Sequence, residues 1–279
     1  MTHSDSRDQG VGVHALDSIT NLTDAHRGNV VVAASHGAVY AAYVAAKGGA
    51  RAVILNDAGV GKGSAGISGL PYLDGYGIAG ATISHMSARI GDGGDMLARG
   101  VISHLNEAAK SLGCRPGQSC AECADLMKAA PSATVSPPEQ SESRTLLRSE
   151  PGEPEVWGAD SASLVMPEDC DHIVITGSHG QVLGDKPETA LKYDALAAVF
   201  SDAGIGADRA GISRLPALDT RNIPAATVSV ESARIGDSRS LYGEGRISCV
   251  NETAARLGAK TGMTTREFVD CIIAGLKRA

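Results

Sequence analysis

The chain has 279 residues, 43% of them hydrophobic, enough to bury a large core in one domain or two. A formal net charge of −7, with only two Phe and one Trp, leaves neither a basic footprint nor a set of stacking platforms for nucleic acid. The polar start, Met1 to Asp8, lacks the apolar core of a signal peptide, and no run approaches the ~20 apolar residues of a membrane helix, so the expectation is a cytoplasmic protein without a membrane partner.

In chain order, residues 30–34 form a short apolar run without period-2 alternation, as expected of a strand buried on both faces of a parallel sheet. The Ala-rich stretch 38–47 reads as a helix closed by Gly48-Gly49, and 51–55 as the next strand. A short helix is expected from Ser68 as N-cap to Gly77, then a strand at 78–83 and a long helix at 96–112 closed by Gly113. Ser119-x-x-Glu122 is a capping box that opens one more helix. Residues 131–154, rich in Pro, Ser and Glu, read as a mobile linker.

Beyond that linker the chain repeats itself. Asp57-Ala58-Gly59-Val60-Gly61 returns as Asp202-Ala203-Gly204-Ile205-Gly206, 145 positions on, and that register holds to Asp125 and Asp270. Upstream, Asp17-Ser18 matches Asp160-Ser161 and Ser35-His36-Gly37 matches Ser178-His179-Gly180, 143 positions apart. The second copy's two extra residues are expected in a helix around Gly184-Asp185-Lys186-Pro187. Its strands are expected at 172–176, 195–200 and 223–228, although 195–200 also suits a helix. A short helix from Ser213 to Asn222, a long one at 241–257 closed by Gly258, and a second capping box, Thr264-x-x-Glu267, complete it. The fold class is therefore α/β, with a first repeat at 11–130, the linker at 131–154 and a second repeat at 155–279. Each copy is βαβαβα with a mostly parallel sheet flanked by helices. The two copies make either one doubly wound sheet or two lobes facing each other around a pseudo-two-fold axis. In the first arrangement ligands bind where strand order reverses, outside the carboxyl ends.

Polar residues kept in both copies follow strand ends. Ser35 and His36 match Ser178 and His179, and Asp57 matches Asp202. Ser87, Arg89 and Asp92 match Ser232, Arg234 and Asp237. A Ser-His pair can be turn chemistry and the Arg and Asp can be an internal salt bridge. Their convergence at one sheet edge favours a site. There His36 or His179 acts as general base with Asp57 or Asp202 fixing its tautomer, and Ser35, Ser87, Ser178 or Ser232 is nucleophile or oxyanion donor. Ser87, Arg89, Asp92 and their partners bind substrate, the Arg by its planar fork. The expected function is an enzyme on a small anionic or carbonyl-bearing metabolite, with hydrolysis of an amide-like or ester bond first. A metal-assisted lyase or isomerase and a non-catalytic binding protein are the alternatives. No Gly-x-Ser-x-Gly elbow fixes a nucleophile. No cofactor is expected. A divalent metal on His36, Asp57 and Asp92, or their partners, is the alternative, and a homo-oligomer is left open.

The strand followed by Ser-His-Gly resembles the caspase-type peptidase core, with His36 and His179 at that family's catalytic His. Asn56-Asp57 and Ser201-Asp202 stand where that family has its Cys, so a peptidase is not expected. In architecture alone, repeated lobes contributing Ser and Arg are similar to cyclic-amide hydrolases of the cyanuric acid hydrolase and barbiturase type, which carry three repeats and a Lys that is not kept in both copies here.

Other motifs lose weight against the second copy. The loop Gly59-Val60-Gly61-Lys62-Gly63 tempts a nucleotide reading, yet Ala207 replaces Lys62. Cys114, Cys120 and Cys123 face Ala259, Thr265 and Phe268, which favours core packing over metal or redox chemistry. Ser103, Asn106 and Glu107 recur as Ser248, Asn251 and Glu252, read as a helix-to-loop contact. The copies differ most at His85-Met86 against Val230-Glu231 and at His104 against Cys249.

Overall fold

The computed structural model describes residues 10–133 and 135–278. The two copies form two separate mixed sheets, not one doubly wound sheet. The first is ordered β1 (Val13–Leu16), β2 (Val30–His36), β3 (Ala52–Asn56), β4 (Ala79–Ile83) and β5 (Ile102–Leu105). Strands β1 to β4 run parallel and β5 antiparallel. The second sheet has the same plan in β7 (Val156–Ala159), β8 (Ile173–His179), β9 (Ala197–Ser201), β10 (Ala225–Val228) and the antiparallel β11 (Ile247–Val250). It gains a sixth strand, β6 (Arg144–Arg148), antiparallel to β7 and drawn from the segment read as linker.

Each lobe has three layers because its parallel strands are apolar on both faces. In the first, Val31, Ala33, Val53 and Leu55 pack under α1 (Val39–Lys47) and α2 (Gly69–Asp74). Val30, Val32, Ala34 and Ile54 pack on the other side against α3 (Gly93–Arg99) and α5 (Cys120–Met127). Cys114, Cys120 and Cys123 are buried in that second layer, and burial pushes the Cys123 and Cys114 thiols up, as core packing implies. Both expected capping boxes are present, at Ser119 on α5 and at Thr264 on α9 (Thr265–Leu276). Gly77 and Asn222 both take positive φ, as the left-handed helix endings require.

Two local expectations fail for identifiable reasons. The long helices at 96–112 and 241–257 are each broken in two around an edge strand. Gly100 and Gly245 end α3 and α7 (Ser238–Glu244), and the chain then extends into β5 and β11. Asn106 and Asn251 do not sit mid-helix. They N-cap α4 (Glu107–Ser111) and α8 (Glu252–Arg256). The Asn106 amide oxygen accepts from Ala109 N and Gly80 N, and its amide nitrogen donates to Ile78 O, so one side chain ties the edge helix to the start of β4. Replacing Asn106 by Ala removes the cap and leaves buried backbone groups unpaired, and is expected to cost about 3 kcal/mol in urea unfolding. Ser103→Ala, which loses the hydroxyl's contacts with Thr82 Oγ1, Thr82 O and His104 Nδ1, is expected to stay within about 1 kcal/mol.

The second failure concerns α1, which has no α-helical counterpart. After β8 the chain runs through two 3-10 turns, Leu183–Asp185 and Pro187–Ala190. Gly184 and Asp185 both adopt positive φ, and Pro187 cannot continue a helix from them. These turns pack with α6 (Arg214–Asp219) and Phe200 in place of a helix.

The lobes meet along the pseudo-two-fold axis at the two Asp-Ala-Gly loops. A Cβ built on Gly59 would lie 3.2 Å from Gly204 Cα, and one on Gly204 would lie 3.2 Å from Gly59 Cα. The backbones therefore touch, which only glycine permits. Ala58, Ala65 and Ile90 from one lobe close over Ala203, Val230 and Ile235 from the other. Lys62 N donates to Val230 O, and Ala207 N donates to His85 O, the same bond made in each direction.

Candidate active site

The two Ser-His-Gly loops converge on one cavity of about 110 Å³ at the ends of β2 and β8. Ser18, Ser35 and His36 line it from one lobe, and their repeats Ser161, Ser178 and His179 line it from the other. It is thus a single composite cavity containing both members of each pair. Tyr40 faces Leu183, its counterpart 143 positions on.

The serines are anchored to the backbone. Ser35 Oγ accepts from Ile19 N at 3.0 Å and Ser178 Oγ from Ala162 N at 2.8 Å, so each hydroxyl proton remains free to be donated. Among the described residues neither serine bonds to a histidine, which separates them from a Ser-His nucleophile.

The histidines are neutral. Burial lowers His36 to about 4, and its Nδ1 is buried with no partner among the described residues. Burial, the charge of Arg214 and the neighbouring His36 hold His179 well below its ordinary value. Gln181 N donates to His179 Nδ1 at 3.3 Å, which places the remaining proton of that ring on Nε2. Two neutral imidazoles offer hydrogen-bond donors, as neutral electrophiles do, and are poorly matched to general-base work near pH 7. The His36 ring lies against Gly236 of the opposite lobe, where a Cβ would come within 3.2 Å of its Cε1. With φ at +82°, Gly236→Ala is expected to shift that ring, cost about 2 kcal/mol and reduce any turnover at least tenfold, read by thermal unfolding and by kcat/KM.

Two residues outside the repeat pattern complete the cavity. Arg214, the first residue of α6, is 4% exposed and lines the cavity. Its Nε donates to Gln181 O at 3.0 Å, its Nη1 donates to Ala190 O, and its guanidinium stacks over the Phe200 ring. Burial lowers it to about 10, so it stays cationic at neutral pH. It makes no ion pair with a carboxylate among the described residues. The second is Glu142, from the segment between the repeats. Burial pushes its carboxyl up to about 7, the charge of Asp160 adds to this, and a hydrogen bond from Ser161 opposes it. Glu142, His36 and Tyr40 also line an adjoining chamber of about 300 Å³ with Gly236 and Arg234, so these three form the wall between the two spaces. A larger depression, about 780 Å³, lies over α1; Tyr40 and Glu142 line it as well, and none of the residues repeated in both copies does.

The other repeated residues are placed elsewhere. Asp57 and Asp202 sit at the lobe seam, where each Oδ1 accepts from the amide two residues on and from the start of the next loop. They hold a turn in which Ala58, Gly59, Val60 and Gly61, and their four counterparts, all have positive φ. A β-branched residue in that region is strained, and the carboxylate bonds offset the strain. Asp57 also accepts from His85 Nδ1 at 2.8 Å. Burial pushes its carboxyl up, but the bonds from His85 and the amides outweigh this and hold it below the usual range. Ser87 and Ser232 each donate to a carbonyl three residues back and accept from Val101 N or Arg246 N, fixing the loop to the edge strand. Asp92 and Asp237 N-cap α3 and α7. Arg89 pairs with Asp92 at 2.6 Å and, across the seam, with Asp185 at 2.7 Å. Arg234 pairs with Asp237 at 3.0 Å and lines the outer chamber and a second depression beside Ser143 and Asp160, but not the composite cavity.

His36, Asp57 and Asp92 do not gather. Among the described residues no three His, Cys, Asp or Glu side chains stand where they could hold a metal ion together. Lys62 donates to Ser232 O and faces Glu244, a seam contact. No helix among the described residues is long and apolar enough to cross a membrane. Comparison with protein-family models, curated proteins and solved structures finds no match to this chain.

Proposed function

We propose that the chain is an enzyme that hydrolyses an amide-like or ester bond of a small carbonyl-bearing metabolite in the composite cavity. The observation that carries this reading is Glu142, a carboxyl held at about 7 on the wall between the cavity and the outer chamber. A proton-transfer group works best when its pKa lies near the working pH, and Glu142 meets that condition where His36 and His179 do not.

In this reading ionised Glu142 takes a proton from water as the water oxygen attacks the carbonyl carbon. The carbonyl π pair moves onto oxygen and then returns, expelling the leaving amine or alcohol, which receives the proton from Glu142. The buried neutral imidazoles and the free serine hydroxyl protons supply donors for the oxyanion, a role worth several kcal/mol in a dry site. Water as nucleophile replaces the serine nucleophile expected from the sequence, because among the described residues neither Ser35 nor Ser178 has a histidine to activate it.

A panel of small amides and esters, assayed for release of ammonia, alcohol or acid, tests the proposal. Turnover that is lost in Glu142→Gln supports it. Ligands that raise the melting temperature without any turnover across the panel would move the chain to the class of binding proteins.

A further inference from the structure

Arg214 has no equivalent in the first copy, where Gly69 stands at its position. The reason is steric. A Cβ on Gly69 would lie 2.7 Å from Ala42 Cβ and 2.8 Å from Gly37 O, because α1 packs directly over it. In the second copy the 3-10 turns replace α1, and the space they leave takes the Arg214 side chain. The pseudo-two-fold cavity therefore carries a cation on one side only.

A guanidinium buried to this degree without a carboxylate is costly, and two backbone carbonyls satisfy only part of its donor set. Its Nη2 makes no hydrogen bond among the described residues, while its neighbours His179 and Ser178 contribute no negative charge. The one acid that lines the cavity among the described residues is Glu142, which with Tyr40 also lines the outer chamber, where Arg214 does not reach.

Resting on the hydrolytic reading above, we infer that the substrate carries a single carboxylate, that Arg214 binds it at the second-lobe end of the cavity, and that the scissile carbonyl points toward Glu142 and the outer chamber. One cation balances one negative charge. A phosphate dianion would leave an unmatched charge in a space with low dielectric and would face Glu142 as well. The planar fork of an arginine suits a planar carboxylate. A cavity of about 110 Å³ has room for a carboxylate on a short carbon stem and little else, so the rest of the substrate extends into the 300 Å³ chamber.

The test uses the full chain and thermal unfolding at fixed ionic strength, with propionate, its uncharged isostere propionamide, and inorganic phosphate as probes. The expected result is a saturable rise in melting temperature of several degrees with propionate and none with propionamide or phosphate. Arg214→Met is expected to weaken propionate binding at least tenfold, and Arg214→Lys to fall between, since it keeps the charge and loses the fork. Equal shifts from propionate and propionamide, or a larger shift from phosphate, would overturn the assignment, as would unchanged propionate binding in Arg214→Met. Should Arg214→Met not fold, the comparison of probes on the unaltered chain decides alone. Glu142→Gln is expected to keep propionate binding. Lost turnover with intact binding in that variant supports both readings, whereas intact turnover there overturns the hydrolytic reading and leaves the carboxylate anchor standing.

Discussion

Glu142→Gln is expected to lower kcat by 10²- to 10⁴-fold while leaving the fold intact, because a proton-transfer group contributes about that factor and the amide keeps the shape of the acid. For the unaltered chain kcat/KM is expected to rise with pH and level off above about 7, where Glu142 is ionised and able to take a proton. In Glu142→Gln that inflection disappears. The same group makes a stability prediction of definite sign. Its carboxyl is raised in the folded state above its ordinary 4.5, so the fold favours the protonated form. The stabilisation is complete below 4.5 and is lost as pH rises through about 7. Relative to Glu142→Gln, the unaltered chain should lose about 1–2 kcal/mol between pH 4.5 and 7, a figure reduced to allow for the solvent that reaches this half-buried group. Parallel denaturation curves of the two proteins across that range would remove Glu142 as the titrating group.

Gly204→Ala is the second large effect. The residue sits at φ +74°, and its Cβ would meet the His85 ring at 2.8 Å and Gly59 Cα at 3.2 Å. The backbone penalty alone is about 1 kcal/mol, and wedging two packed lobes apart brings the total to about 3 kcal/mol or more. Gly77→Ala is the control, since Gly77 also has positive φ but nothing within 4 Å of its Cβ. It should show the backbone penalty and retain activity. Gly204→Ala should lose activity at least tenfold among the molecules still folded, because the cavity has one wall in each lobe and closure at the seam sets their separation. Equal activity in the two variants would mean that the lobes do not share a site.

Strand ends are legible because the parallel strands are short apolar runs stopped by Gly or polar residues, and even 195–200, which suits a helix on composition, forms β9 under the pull of its neighbours. The edge strands β5 and β11 are not legible. Ile102-Ser103-His104-Leu105 mixes apolar and polar residues in a way that continues a helical face, and only pairing with β4 decides the matter. The site shows a more general pattern. Comparing the copies selects what both lobes need, and that is largely scaffold: the Asp57 and Asp202 turns, the Asp92 and Asp237 caps, and the Ser87 and Ser232 loop pins. Ser35, His36 and their repeats pass the same filter because both lobes build the cavity. Arg214 and Glu142 escape it, one because its counterpart is glycine and the other because it lies in neither copy. The signal that could have found Arg214 is the loss of α1's pattern beside it, with Gly184 and Pro187 marking where space opens.

The cavity on the pseudo-two-fold axis has a consequence for how such a protein can be assembled at all. Two identical chains meeting at that axis would have to present the same residue from each side, so a guanidinium would come twice or not at all, and two facing cations in so small a space would repel. Joining the copies in one chain removes that constraint. The left and right walls become separately changeable, and a polar molecule can then enter in one orientation only. The connector does more than tether the copies, since it delivers Glu142 to one side of the axis. A cavity whose two ends differ in charge is something that neither repeat, paired with itself, could provide.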